Sequence, residues 1–166
     1  MDTKNHYELL SLRPEEGKDE AFLRQLYAST RAEEMAMTGW EQQQINEFLN
    51  MQFDLQHKQY VQNYLGARFD IILMDKDRAG RLYVQRGKAE MRIIDIALLP
   101  KFRRLGIGSK LMSDLITEAN EKQLPLSLHV EYNNPALGLY ERLGFIKGEL
   151  RGVYYYMERP PDTHDS

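Results

Sequence analysis

The 166-residue chain contains no cysteine. This absence excludes a thiol nucleophile, a disulfide framework and cysteine-based zinc sites, and it is compatible with a reducing compartment. The histidines are His6, His57, His129 and His164, and they show no metal-ligand spacing. We therefore expect no metal site, and any catalysis has to come from other side chains.

The chain also has little net charge and no long apolar run. With 22 basic and 25 acidic residues the net charge is −3, so no global field attracts nucleic acid or an anionic membrane. No apolar run approaches the roughly 18 residues of a membrane span. The amino terminus, MDTKNHYELL, lacks the order of a signal peptide. We expect a cytoplasmic protein without nucleic-acid or membrane partners.

The length suits one domain that buries about two thirds of its unfolded surface. We predict a single domain over 1–159 and a flexible tail over 160–166, where the sequence is PPDTHDS. No internal repeat or low-complexity linker divides the chain.

Hydrophobic periodicity and turn residues predict alternating strands and helices. The predicted strands are 7–12, 67–74, 81–85, 91–99, 126–130, 145–150 and 153–157. The predicted helices are 19–39, 40–65, one that starts at 107, and 135–143. The turns between the second, third and fourth strands, 75–77 with 79–80 and then 86–88, favour an antiparallel meander. Strand 126–130 should return parallel to 91–99 by a right-handed crossover. The fold class is therefore mixed α/β.

The segment between the strand at 91–99 and the next helix has the features of an anion site. Arg103 and Arg104 precede Leu105-Gly106-Ile107-Gly108. The two glycines allow a ligand to approach the backbone closely, and the helix start adds free N–H donors and the positive end of a dipole. A pyrophosphate would fit this turn.

The spacing distinguishes among phosphate-binding motifs. A dinucleotide fingerprint needs a third glycine where Leu111 stands, and a P-loop motif is absent. The pattern R-x-x-G-x-G, formed by Arg103, Gly106 and Gly108, resembles the pyrophosphate motif of the GNAT superfamily of acyl-CoA-dependent N-acetyltransferases. Read alone, the glycines could equally form only a tight strand-to-helix turn.

A second segment, VEYNNPALGLYERLGF from Val130, strengthens the resemblance. It is similar to the GNAT segment in which an asparagine precedes a short helix carrying a tyrosine, followed by Leu-Gly-Phe. Asn133, Tyr140 and the tripeptide 143–145 match that pattern. The two segments also have the order and separation found in the family.

The resemblance implies a GNAT fold, with a mixed, mostly antiparallel central sheet, helices on both faces and a splayed pair of parallel strands. It also implies acetyl-CoA as cosubstrate, without metal, with the pantetheine arm in the gap between the parallel strands. The residues implied to bind it are Ile96, Ala97, Leu98, Arg103, Arg104, Leu105, Gly106, Ile107, Gly108, Ser109, Asn133 and Tyr140.

Acyl transfer to an amine requires a proton for the leaving thiolate, a base for the amine and a stabilised oxyanion. Tyr140 matches the thiolate-facing tyrosine of the family, and a phenol with a reference pKa of about 10 holds a proton at neutral pH. Its alternative role is packing. Glu90, Asp95 and His129 are candidate bases, and each could instead be a paired structural residue. The resemblance assigns the oxyanion to the backbone N–H of Leu98.

Two functions from different classes follow. The preferred one is an N-acetyltransferase that transfers acetyl directly to a primary amine, since no cysteine can form an acyl-enzyme. The alternative is a non-catalytic acyl-CoA-binding or sensing module that lacks a competent base.

The acceptor is expected to be a small-molecule or peptide amine, recognised by the polar and aromatic helices before residue 65. Candidate contacts are Glu33, Trp40, Phe53 and Gln56, although the aromatic residues could equally belong to the core. The chain is expected to be a monomer or a homodimer.

Overall fold

The computed structural model describes residues 7–163, which form a sheet with helices on both faces. The strands are β1 (Leu10–Pro14), β2 (Arg68–Met74), β3 (Asp77–Arg86), β4 (Met91–Leu98), β5 (Leu126–Glu131), β6 (Ile146–Arg151) and β7 (Tyr154–Arg159). Their spatial order is β1-β2-β3-β4-β5-β7-β6. Within this sheet β4 and β5 run parallel and every other neighbouring pair is antiparallel. The predicted mixed class is confirmed.

The helices are α1 (Glu20–Ala36), α2 (Gln42–Asn63), α3 (Ile107–Glu121) and α4 (Leu137–Arg142), with 3-10 turns at Gly17–Asp19 and Pro100–Phe102. Successive side chains of a strand point to opposite faces, so Ile71 packs with α1 and α2 while Ile72 packs with α3. The apolar stripe of α3 is buried as predicted, from Ile107 through Leu115 to Ala119.

The strands β4 and β5 pair over a short distance and then separate. Their parallel pairing runs from Met91 opposite Leu126 to Ile93 opposite Leu128. On its other side β4 has a bulge, because Tyr83 of β3 lies opposite Asp95 while Val84 lies opposite Ile93. Because the parallel pairing ends at Ile93, the edge of β4 that faces β5 has no strand partner among residues 7–163 beyond that residue.

Two predicted strands differ most from the structure. The first strand is not 7–12 but Leu10–Pro14, and β1 tolerates the proline because it is an edge strand. The predicted turn at 79–80 lies inside β3, which begins at Asp77. A Cβ on Gly80 would collide with the carbonyl oxygen of Ala97, so this glycine permits close approach of two strands.

Two further properties concern residues 7–163 alone. None of their helices is long and apolar enough to cross a bilayer. Within the same range, no group of three or more His, Cys, Asp or Glu side chains is placed to hold a metal ion. His6 and residues 164–166 of the predicted tail lie outside the described residues.

Candidate active site

A cleft of about 1630 Å³ lies where β4 and β5 separate. Its walls come from α1, α2, the end of β4, the turn before α3, β5, α4 and the hairpin of β6 and β7. Pockets for one small ligand usually measure about 300–1,000 Å³, so this cleft has room for two substrates side by side. The turn before α3 lies at one side of it, and α1 with α2 form another.

The turn before α3 has the geometry of an anion site. Gly106 adopts a left-handed conformation (φ 83°) immediately before the helix, where a Cβ would collide with the hydroxyl of Tyr7. The amide of Lys110 is the one that bonds back to Gly106, at 3.0 Å. The preceding amides of residues 107–109 therefore have no acceptor within the helix. All three residues line the cleft, and a Cβ on Gly108 would meet only open space.

The two arginines of the turn also line the cleft, whereas Leu105 lies outside its wall and is 43% exposed. Arg103 donates from Nε to the carbonyl oxygen of Leu98 at 3.0 Å. This bond ties the turn to the end of β4, so the anion site and the free edge of the strand are held together. Arg104 has a positive φ of 63°.

The remaining predicted coenzyme contacts lie along the same side of the cleft. Ile96, Ala97 and Leu98 line it on β4, and Asn133 lines it after β5. The neighbouring Asn134 accepts a hydrogen bond from the amide of Ala136 at 2.8 Å. The turn before α4 is therefore capped by Asn134, not by Asn133.

Tyr140 of α4 lies in the cleft wall and packs edge-on against Phe145, with ring centroids 5.9 Å apart. Burial, and then the charge of Asp95, raise the pKa of Tyr140 above its ordinary value. The phenol is therefore protonated at neutral pH.

Asp95 also lines the cleft, on the side facing α2. Its Oδ2 is in contact with Nη2 of Arg81 and accepts a hydrogen bond from the hydroxyl of Tyr60 at 3.4 Å. The same Nη2 donates to Oε1 of Gln56 at 2.7 Å. Three elements thus meet at one buried guanidinium, which is 4% exposed.

Glu90 lies outside the cleft wall and is held by three donors. These are Nη2 of Arg92 at 3.1 Å, the hydroxyl of Ser127 at 3.0 Å and the hydroxyl of Tyr156 at 3.4 Å. Arg92 and Tyr156 do line the cleft. Glu90 is therefore connected to the cleft indirectly, through its hydrogen bonds with these two side chains.

His129 of β5 lies in the cleft wall, with its ring centroid 5.5 Å from that of Tyr156. Burial, followed by the positive charge of Arg92, lowers the pKa of His129. The imidazole is therefore neutral at pH 7 and can accept a proton.

The four predicted acceptor contacts separate into two pairs. Glu33 and Gln56 line the cleft. Phe53 is buried between the helices, 6.0 Å from Tyr27 by ring centroids. Trp40 packs against Phe48 at 5.4 Å in the connection from α1 to α2, and like Phe53 it lies outside the cleft wall. Phe53 lies outside the cleft because it is on the face of α2 that packs against α1.

The sequence profile described as Acetyltransferase (GNAT) family matches residues 72–145. This segment of the chain is similar to the GNAT acetyltransferases. The matched segment includes β3, β4, the anion-binding turn, α3, β5 and α4, and it excludes α1 and α2. The family match thus covers the side of the cleft with the predicted coenzyme contacts and omits the helices on its other side.

Several named N-acetyltransferases resemble part of the chain. The [ribosomal protein bS18]-alanine N-acetyltransferase of Haemophilus influenzae is 37% identical over 67 residues, covering 40% of this chain and 46% of that protein. N-alpha-acetyltransferase 50 of Danio rerio is 30% identical over 82 residues, covering 48% and 49%. The chain thus spans about half the length of these curated relatives.

Solved N-acetyltransferase structures have the same fold over nearly the whole chain. The PaiA N-acetyltransferase from Thermoplasma acidophilum in complex with coenzyme A has a TM-score of 0.67 at 16% identity, covering 91% of this chain and 98% of that one. The ribosomal-protein-S18-alanine N-acetyltransferase from Escherichia coli has a TM-score of 0.65 at 20% identity, covering 94% and 97%.

Most side chains of the cleft wall that lie outside the two GNAT-like segments were not predicted from the sequence. The missed charged and aromatic residues of the cleft wall include Tyr27, Arg31, Arg81, Arg92, Glu131, Tyr154 and Tyr156. The alternation of Tyr154 and Tyr156 on one strand face was a usable signal. By contrast, Arg31 pairs with Glu131 at 3.1 Å across 100 residues of sequence, which no local pattern predicts.

Proposed function

We propose that the chain is an acetyl-CoA-dependent N-acetyltransferase that transfers the acetyl group directly to a primary amine. One observation carries the proposal: the anion-binding turn, the unpaired edge of β4 and the protonated Tyr140 open into one cleft. The match of residues 72–145 to the GNAT acetyltransferase family supports the reaction type.

Each of these features would bind a different part of the coenzyme. The amides of residues 107–109, with Arg103 and Arg104, would hold the pyrophosphate, since an anion satisfies free N–H donors at a helix start. The pantetheine arm would lie along residues 96–98 with Asn133 beside it. The thioester would then be near Tyr140.

The reaction needs no group beyond the two substrates, solvent, and the side chains and backbone of the cleft. The amine nitrogen attacks the thioester carbonyl carbon, the C–N bond forms, and the oxyanion is stabilised by the amide of Leu98. The C–S bond then breaks, and the thiolate receives the proton of Tyr140 while the amine nitrogen gives its proton to a base. Tyr140 recovers a proton from solvent.

Three groups are proposed for the base. Asp95 and His129 line the cleft directly, and Glu90 would act through Tyr156 or a water. A neutral imidazole accepts a proton near pH 7 without competition from a counter-charge, whereas Asp95 is already paired with Arg81. The pH dependence of turnover separates these candidates.

We further propose a peptide amino terminus as the acceptor. The support comes from the relatives, whose names specify acetylation of a ribosomal protein at alanine and of α-amines. The proposal includes a cytoplasmic location, where acetyl-CoA is available. The oligomeric state stays a prediction of monomer or homodimer.

The deciding experiment measures release of free thiol from acetyl-CoA over a panel of peptides and small amines, beside calorimetric binding of acetyl-CoA. Binding with turnover supports the enzyme. Binding without thiol release from any acceptor supports the acyl-CoA-binding module instead. Absence of binding would remove both.

A further inference from the structure

A buried arginine links the two sides of the acceptor region. Arg81 lies in the middle of β3, is 4% exposed and lines the cleft. Its Nη2 is in contact with Oδ2 of Asp95 on β4 and donates to Oε1 of Gln56 on α2 at 2.7 Å. The rings of Tyr83 and Tyr60 lie 5.0 and 6.0 Å from its guanidinium carbon. One nitrogen therefore fixes two side chains from different elements.

This arrangement is costly if its role is only to stabilise the fold. Burying a guanidinium and a carboxylate removes both from water, and apolar residues of similar volume often stabilise a core equally well. In addition, Nε of Arg81 is buried and has no hydrogen-bond partner among residues 7–163. A buried polar group that is incompletely satisfied in a cleft wall is a candidate for a functional role.

The side-chain atoms of Asp95 and Gln56 that do not contact Arg81 can make opposite kinds of hydrogen bond. Asp95 uses Oδ2 for Arg81 and Tyr60, and its Oδ1 accepts no hydrogen bond from the described residues, although the side chain is 20% exposed in the cleft. Gln56 uses its oxygen for Arg81, which leaves its NH₂ group as a donor. The pair thus offers one acceptor and one donor side by side.

We propose that Arg81 is a positioning residue that orients Asp95 and Gln56 to receive the first residue of a peptide acceptor. A peptide amino terminus carries an N–H donor and, two bonds further along the chain, a carbonyl acceptor. Asp95 Oδ1 takes the first and the Gln56 amide gives to the second. A simple alkylamine satisfies only Asp95. This inference rests on the proposed function, and it names the residues that select a peptide.

The test uses binding, so it does not depend on turnover. Two probes carry coenzyme A joined through an S-acetyl group to a nitrogen: in one to the α-nitrogen of an alanine-initiated tetrapeptide, in the other to isopropylamine. Both contain the same amide N–H, and only the peptide probe has the following carbonyl. Calorimetry compares each probe with coenzyme A for the unmodified protein, Arg81→Lys, Gln56→Ala and Asp95→Asn.

The unmodified protein should bind the peptide probe at least about tenfold more tightly than the isopropylamine probe, the size of one good hydrogen bond. Arg81→Lys keeps the charge but loses the fixed fork, so it should remove this preference while affinity for coenzyme A stays unchanged. Gln56→Ala should remove the same preference. Asp95→Asn should weaken binding of both probes.

The matched control is Arg86→Gln at the end of the same strand. Arg86 is also ion-paired, with Glu118 at 2.6 Å, but it lies outside the cleft wall. Its affinities for both probes should equal those of the unmodified protein. Gln56→Ala leaves the buried ion pair intact, so it tests the assignment even if Arg81→Lys fails to fold.

Three results would overturn the assignment. The unmodified protein could bind both probes equally, Gln56→Ala could keep the preference, or Arg81→Lys could lower the melting temperature while preserving the preference. The last result would make Arg81 structural. If the predicted binding pattern is found but no acceptor releases thiol, the proposed function fails and the positioning role stands.

Discussion

The two sides of the cleft are built from different chemical groups. The proposed coenzyme side uses backbone amides, glycines and the edge of β4 that faces β5, and most of it lies in the contiguous stretch 96–109. The proposed acceptor side uses paired side chains from α1, α2, β3, β4, β5 and β7. Its ion pairs are Arg31 with Glu131, Arg81 with Asp95, and Arg92 with Glu90.

This difference determines how substitutions on each side should affect ligand binding. A backbone site for pyrophosphate needs only a turn conformation, so a small change of side chain elsewhere leaves it intact. A site assembled from ion pairs changes its shape and charge with each substitution. We therefore expect substitutions on the coenzyme side to abolish binding of the common cosubstrate, and substitutions on the acceptor side to shift selectivity.

The largest effect is expected from Gly108→Glu. A ligand at 100 times its dissociation constant adds about 2.7 kcal/mol of stability, which corresponds to a rise in melting temperature of about 5–10 °C for a protein of this size. The glutamate would fill the open space beside the free amides with negative charge, so acetyl-CoA should give no rise.

The matched control for this variant is Gly138→Glu. Gly138 is an exposed helical residue, and its Cβ would approach only the flexible side chain of Arg142. It should keep the full thermal shift. A normal shift in Gly108→Glu would show that the pyrophosphate binds elsewhere.

The next effect is on turnover. Tyr140→Phe keeps the ring against Phe145 and deletes the proton that the thiolate needs, so kcat should fall about 10²-fold with acetyl-CoA affinity nearly unchanged. Tyr155→Phe is the control, because Tyr155 packs on the same core outside the cleft wall. Steady-state kinetics with calorimetry measures both. Full activity in Tyr140→Phe would leave this tyrosine a packing role.

A pH profile tests which acceptor-side group is the base. The pKa of His129 is lowered, so the imidazole is neutral above that pKa and becomes charged as the pH falls through it. If His129 is the base, kcat/KM should fall tenfold per pH unit below that pKa, and His129→Gln should remove this limb and lower the plateau about 10- to 100-fold.

His57→Gln is the control for this profile, because the His57 ring stacks on Phe53 outside the cleft wall. A carboxylate base predicts a different result: His129→Gln would keep the acid limb. That outcome would move the base to Asp95 or Glu90.

The smallest effect is expected at the rim of the acceptor side. Glu33 is exposed and lines the cleft, so Glu33→Gln should raise KM for a cationic acceptor about two- to fivefold, less at high salt, and leave KM for acetyl-CoA unchanged. Glu47→Gln, exposed on α2 outside the cleft wall, should change neither constant. Equal constants in both variants would limit acceptor recognition to residues deeper in the cleft.

The contrast between the two sides of the cleft also determined how much of the structure could be predicted from the sequence. The anion turn and the segment around Tyr140 are local patterns, so their chemistry and their elements were predicted from short stretches. Gly80 was assigned to a turn because glycine marks both turns and close strand contacts, and this error hid the extent of β3. The partners of Arg81 lie 25 residues before it and 14 after it, and only the packed fold brings them together.

The bulge at residue 94 determines which face of the sheet each later residue of β4 occupies. Before it, Met91 and Ile93 pack with α3; after it, Ile96 and Leu98 do, because the extra residue shifts the alternation by one. Asp95 and Ala97 thereby face α1 and α2. Inserting one residue directly after Ile94 would exchange the faces of every later residue in the strand, sending Asp95 into the apolar layer and Ile96 towards α1 and α2. The length of this strand is therefore as constrained as its composition, and an insertion there should be less tolerated than any single substitution.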